Sequence, residues 1–166
     1  RLPRQVLTHQ EVEQILNQTD STTPLGIRDR AILETLYSSG IRRSELVGLR
    51  VSEVDLHQGL LLVIHGKGGK DRLLPLGERA VRWIAKYLCE VRPLHAKLNK
   101  TGAESPTLFL TAFGKPFTAG GMSVHIHRYV QMAKPTSGGS CHSFRHAMAT
   151  QMLENGADIR SVQEML

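Results

Sequence analysis

The hydrophobic pattern changes period between residues 60 and 76, and this change limits the fold more than any other feature of the chain. Residues 60–64 are the apolar run Leu-Leu-Leu-Val-Ile, residues 66–71 are Gly-Lys-Gly-Gly-Lys-Asp, and residues 72–76 are Arg-Leu-Leu-Pro-Leu. Run, glycine-rich turn and run predict a β-hairpin, since a tight reversal needs backbone angles that glycine adopts freely. On either side the apolar residues return at helical spacing. Thr8 and Glu11 form a capping box for a helix to about Leu16, with Val12, Ile15 and Leu16 on one face. A second helix starts at Pro24, carries Ile27, Ala31, Leu33, Leu36 and Tyr37, and stops at Gly40. A short helix with Leu46 and Val47 begins near Arg42.

After the hairpin, Val81, Ile84, Ala85 and Leu88 predict a helix over residues 78–91 that Pro93 ends, with Trp83 in the core. Residues 94–106 are polar and irregular and are expected to form a flexible loop. A brief strand at 107–110, a turn at 114–116 and a helix at 123–133 follow. Residues 137–140 are expected to form a second flexible segment before helices at 142–155 and 158–166, with Gly156 as the stop between them. The expected fold class is α+β: a mostly helical domain with one small antiparallel sheet built on the hairpin.

The 166 residues fit one domain, and 40% of them are hydrophobic against 22% charged, the balance of an ordinary globular chain. No apolar run is long enough to cross a bilayer, and the first residues carry no signal-peptide pattern. Cys89 and Cys141 lie far apart with no CxxC pair, so a reducing, cytoplasmic setting without a structural zinc site is expected. Lysine and arginine number 21 against 15 acids, a net charge of +6. Such a surplus suits a polyanion, because each neutralised phosphate releases counterions, although a solvated basic surface gives the same balance.

Residues 142–146 read His-Ser-Phe-Arg-His. Three apart on a helix, His142 and Arg145 share a face, while Phe144, Met148 and Met152 supply an apolar stripe. Arg42 stands where one helix ends and another begins, and its planar fork suits two oxygens of a phosphate. Glu45, three residues on, can hold that fork; on local grounds a surface Arg–Glu pair is the simpler reading. Lys67 lies in the hairpin turn beside Lys70 and Arg72, where a lysine can reach DNA and protonate a leaving oxygen. A solvated, charged hairpin remains the alternative. Gly-Lys-Gly-Gly-Lys-Asp is not a nucleotide-binding loop, since Asp71 replaces the required Ser/Thr and a strand follows in place of a helix. His125 and His127 diverge on a helix and cannot easily hold one metal.

Taken in order, Gly-Ile-Arg-x-Ser-Glu-Leu at 40–46, the stretch 63–76 and the stretch 142–166 resemble the tyrosine recombinase, or phage integrase, family, most of all its Xer-type and integron-type members. The resemblance runs from about Leu7 to Leu166. It implies catalytic roles for Arg42, Lys67, His142 and Arg145, a supporting role for Glu45, and DNA contacts for Arg43, Lys70, Arg72 and His146. It further implies a transesterification: a tyrosine attacks the scissile phosphate, a 3′-phosphotyrosyl bond forms and a 5′-hydroxyl leaves. The hydroxyl of another strand then reverses the step, and neither a metal nor another cofactor is consumed. The implied partners are double-stranded DNA and a tetramer of recombinase subunits.

The family places a Gly-His or Gly-Trp and then the tyrosine after the helix that here reaches Leu166. Tyr37, Tyr87 and Tyr129 sit at or beside apolar helical positions and are read as packing residues. Residues 1–166 are therefore expected to be a catalytic domain cut before its nucleophile, without the family's N-terminal DNA-clamping domain, and monomeric by themselves. A non-catalytic DNA-binding module is the second reading. A type IB topoisomerase is the third, and its wording fits less well.

Overall fold

A computed structural model describes residues 6–64, 67–136 and 139–166, and for Lys67 the backbone alone. At its centre runs α2 (Pro24–Ser39), which has buried residues on every side. Thr23 caps it by accepting from the Gly26 amide, and Pro24 stands in its first turn, where a missing N–H loses nothing. Helices α4 (Glu78–Glu90) and α7 (Cys141–Glu154) pack against α2, while α1 (His9–Leu16) packs against α6 (Ala119–Ala133). The capping box of Thr8 and Glu11 is formed as expected. Tyr87, Phe109 and Phe144 are the largest fully buried side chains; each contributes about 1.5–3 kcal/mol by leaving water.

The sheet is antiparallel in the order β1 (Val54–Asp55), β2 (Leu60–Val63), β3 (Arg72–Pro75). Leu61 faces Leu74 on the core side, and Val63 pairs with Arg72 next to the turn. Gly68 and Gly69 of that turn have φ of 80° and 73°. The fold class is the expected one, with a third strand that two residues of Val-Asp could not announce.

Other elements depart from expectation for identifiable reasons. Pro93 ends α4 but also starts α5 (Arg92–Ala96), because proline fits a helix's first turn as readily as it stops a helix. Much of the expected 94–106 loop is nevertheless irregular. Residues 107–110 form no strand; they make single bridges, Arg50 to Thr107 and Leu110 to Pro116. Helix α6 begins four residues before the expected start, since Thr118 caps it by accepting from the Gly121 amide and two glycines are carried in the first turn.

Among the described residues, the remaining α-helices are α3 (Arg43–Gly48) and α8 (Ile159–Met165). Gly40 ends α2 with φ of 67°, and a Cβ there would lie 1.9 Å from the Cε atom of Met148 on α7. Only glycine permits both the left-handed cap and the close approach of α7. The same crossing brings the chain after α2, where Arg42 lies, up to the first turns of α7, where Arg145 lies.

Candidate active site

Arg42 is the residue just before α3, and its Nη1 donates to Oε1 of Glu45 at 3.0 Å. The three-residue spacing thus produces the local pair expected of it. Glu45 is only 12% exposed and its second oxygen, Oε2, lies 2.8 Å from Nη2 of Arg72 on β3. Arg72 also donates from Nε to the carbonyl of Met165 at 2.9 Å. Its guanidinium is therefore turned into the protein, although it belongs to a strand of the basic hairpin.

Arg145 approaches from α7. Its Nη2 donates to the main-chain oxygen of Leu166, the last residue of the given sequence, at 2.9 Å, and Nη2 of Arg42 donates to the same oxygen. Two forks from distant parts of the sequence meet at one acceptor atom. Burial and the neighbouring Arg42 guanidinium hold the Arg145 pKa below its usual value, with Arg72 adding to the effect and Glu45 opposing it. Nε of Arg145 is buried without a hydrogen-bond partner. Three guanidiniums around one carboxylate leave a surplus of positive charge, an environment that favours an anion.

A cleft of about 380 Å³ opens on this cluster, lined by Arg42, Arg43, Ser123, Cys141, His142 and Arg145, among others. His142 and His146 are both exposed, and their Nε2 atoms are 2.9 Å apart, so one ring donates to the other. Arg43 donates from Nη1 to Oγ of Ser123, tying α3 to α6. A second cleft of about 380 Å³, between the hairpin and α8, contains Arg42, exposed Lys70, Arg72 and Leu166. The side chain of Lys67 lies outside the described residues, as do His65 and Gly66.

Sequence reasoning missed Ser123 and Cys141 as cleft residues. The capping box of Ser140 and Ser143 was the available signal for Cys141, since it fixes the start of α7 one residue before His142. Burial pushes the Cys141 thiol up, against a hydrogen bond to Ser123. Also missed was a buried polar network beneath α6: His125 Nε2 lies 2.6 Å from Asp29 Oδ1, Tyr129 donates to Oδ2 of Asp29, and Arg28 pairs with Asp29 at 2.9 Å. Among the described residues, no three His, Cys, Asp or Glu side chains gather as a ligand set.

The three tyrosines are engaged elsewhere. Tyr87 donates to the Leu108 carbonyl at 2.9 Å, Tyr129 donates to Asp29, and Tyr37 donates to Gln151. Burial pushes the Tyr87 pKa up to about 12, and burial with the Asp29 carboxylate raises Tyr129 further. Burial and the Glu13 carboxylate also raise Tyr37. A phenol with a raised pKa is a poorer nucleophile source, and none of the three lines the arginine cleft.

The fold is that of tyrosine recombinase catalytic domains: the crystal structure of XerA recombinase superposes with a TM-score of 0.83 at 28% identity, over 100% of this chain and 56% of that one. XerH recombinase, in a complex described as bound to palindromic difH substrate after cleavage, has the same fold with a TM-score of 0.79 at 23% identity, over 98% of this chain and 46% of that one. The phage integrase family profile matches residues 5–166, and the chain belongs to that family. Tyrosine recombinase XerC 2 of Ralstonia nicotianae is 47% identical over 165 residues, 99% of this chain and 46% of that protein. XerD of Listeria monocytogenes serotype 4b is 41% identical over 165 residues, 99% of this chain and 54% of that protein. The chain thus spans about half the length of the curated relatives it matches.

Proposed function

We propose that residues 1–166 form the catalytic domain of a tyrosine-type site-specific DNA recombinase. The opening of Arg42, His142 and Arg145 onto one cleft is the observation that carries this reading. In it, the two forks bind the non-bridging oxygens of a scissile phosphate. The pentacoordinate transition state carries more negative charge than the ground state, so donors already aimed at those oxygens lower the barrier. Glu45 orients Arg42. His142 exchanges a proton at the phosphate near neutral pH, and Lys67 supplies the proton of the departing 5′-hydroxyl. Arg43, Lys70 and His146 contact the duplex around the site.

The nucleophile in this proposal is a tyrosine outside residues 1–166, a reading supported by the engagement and raised pKa values of Tyr37, Tyr87 and Tyr129. The whole recombinase works on double-stranded DNA in the cytoplasm as a tetramer, and residues 1–166 by themselves are a monomer that binds DNA without cleaving it. The topoisomerase reading gains nothing from the relatives, which are named recombinases.

A nicked suicide duplex tests the proposal, because cleavage there traps the covalent intermediate. Residues 1–166 should give no protein–DNA adduct, and the polypeptide that carries them together with the nucleophilic tyrosine should give one. An adduct formed by residues 1–166 would overturn the assignment of the nucleophile; no adduct from the longer polypeptide would overturn the recombinase reading.

A further inference from the structure

Arg72 has no task in the reaction outlined above, yet among the described residues it is the most enclosed of the charged side chains on the hairpin. Its side chain is 14% exposed, whereas Lys70, two residues earlier, is exposed. A basic residue on the hairpin of a DNA-binding domain is most simply read as a phosphate contact, but burial and pairing argue against that here. Drawing the Arg72 guanidinium out to DNA would break a 2.8 Å ion pair and leave Oε2 of Glu45, itself in a side chain only 12% exposed, without its cation. Separating such a pair is costly, because the remaining charge stays poorly hydrated.

The connections of Arg72 run inward. Nη2 lies 2.8 Å from Oε2 of Glu45 as an ion pair without hydrogen-bond geometry, and Oε1 of the same carboxylate accepts from Nη1 of Arg42. A carboxylate gripped at one oxygen can swing about its terminal torsion, which is broad. Hydrogen-bonded at one oxygen and ion-paired at the other to arginines from two different elements, it has less freedom to turn, and so has the Arg42 fork it holds. Nε of Arg72 meanwhile donates to the Met165 carbonyl, the peptide group next to the Leu166 oxygen on which Arg42 and Arg145 meet. One planar side chain thus ties β3, α3 and the end of α8 together. A lysine ammonium has no second donor in a fixed plane and cannot hold both partners in the same geometry.

We propose that Arg72 is a positioning residue: it fixes Glu45, and through Glu45 the phosphate-binding orientation of Arg42, without touching DNA itself. The inference rests on the reading of Arg42 as a phosphate ligand. It predicts a defect in the chemical step and none in binding.

The test uses the polypeptide that carries residues 1–166 and the nucleophile, comparing Arg72→Ala, Arg72→Lys, Glu45→Gln and the double variant Arg72→Ala/Glu45→Gln. Two quantities are read: the single-turnover rate of adduct formation on a nicked duplex, and the DNA dissociation constant across a salt series. Arg72→Ala should slow adduct formation by about tenfold or more, the scale of a displaced reacting group, with the dissociation constant and its salt slope unchanged. Arg72→Lys should restore little of the rate. The double variant should be no slower than the slower single variant, since both changes act through the same contact.

A salt slope reduced by about one, with weaker binding, would make Arg72 a phosphate contact and overturn the proposal. A wild-type rate in Arg72→Ala would overturn it too, as would multiplicative losses in the double variant. If Arg72→Ala does not fold, as judged by loss of a cooperative unfolding transition, Arg72→Lys decides alone, because it keeps the stem and the charge: a slow rate at full affinity supports the proposal, and a full rate overturns it. An unmutated polypeptide that forms no adduct overturns the recombinase reading itself, a result distinct from one in which the wild type and Arg72→Ala cleave equally fast.

Discussion

Arg42, at the turn into α3, and Arg145, on α7, line one cleft and donate to the same main-chain oxygen, that of the last residue of the given sequence, Leu166. Neither arginine is placed by its own helix alone. Arg42 is held by Glu45, and α7 reaches it because Gly40 leaves room for Met148. An acceptor between these two forks meets donors that are already oriented, so little reorganisation is left to the reacting group.

Replacing either arginine should therefore act on the chemical step. Arg42→Ala and Arg145→Ala should each slow adduct formation by the polypeptide carrying the nucleophile by about 10²–10³-fold, the usual loss for one transition-state donor. The double variant should lose less than the product of the two, because both serve one phosphate. Single-turnover rates on a nicked duplex check this, and multiplicative losses would show that the arginines act independently.

DNA binding by residues 1–166 should weaken steeply as salt rises. Arg43→Ala and Lys70→Ala should each lower the slope of log affinity against log salt by about one, the loss of a single phosphate contact. Fluorescence anisotropy with a labelled duplex over a salt series measures the slope. An unchanged slope would remove that residue from the DNA interface.

Tyr87 is predicted to matter for stability and not for chemistry. Its hydroxyl donates to the Leu108 carbonyl at 2.9 Å and accepts from the Leu110 amide at 3.0 Å, both buried. Tyr87→Phe strands the Leu110 amide, while the Leu108 carbonyl keeps Arg92 Nε at 3.1 Å, and should cost about 1–3 kcal/mol in urea denaturation. Adduct formation by the longer polypeptide, measured well below the melting temperature, should not change.

Asp29 should make the fold sensitive to acid. Burial pushes its carboxyl up, but the hydrogen bond from His125, the charges of Arg28 and His125 and the Tyr129 hydroxyl together outweigh burial and hold the pKa below the usual carboxylate range. A depressed folded pKa stabilises fully above the unfolded value, about 3.9, and that contribution disappears as pH falls through the folded pKa. Asp29→Asn should therefore lower stability at neutral pH and flatten the dependence of the unfolding free energy on pH below about 4. Urea titrations at a series of pH values read both effects, and parallel curves for the wild type and the variant would refute the assignment.

Much of this fold is legible in the sequence where the determinant is local. The Thr8–Glu11 capping box, the stop at Gly40, the two apolar runs of the hairpin and the pairing of Arg42 with Glu45 each depend on residues within a few positions of one another. The start of α6 and the short α5 were less legible, because glycines at a helix start and a proline after a helix are compatible with two local structures. The network of Asp29, His125 and Tyr129 has little local signature: Asp29 lies 96 and 100 positions from its two partners, and a buried aspartate looks like any other until they arrive.

The sequence by itself determined the helical order with its single change of period, the family membership carried by ordered motifs, and the chemical types available at the site. Periodicity, caps and turns act over a few residues, so the chain states them directly. Only the tertiary structure decided which of the hairpin's basic residues faces outward and which is enclosed, and that Arg42 and Arg145 share one acceptor. Arg72 and Lys70 differ by two positions and look alike as sequence, yet one is paired with Glu45 and the other is exposed. The packing of β3 against α8, with Glu45 of α3 in reach, sets that difference, because burying a guanidinium is tolerable only where a carboxylate and a carbonyl already wait for it.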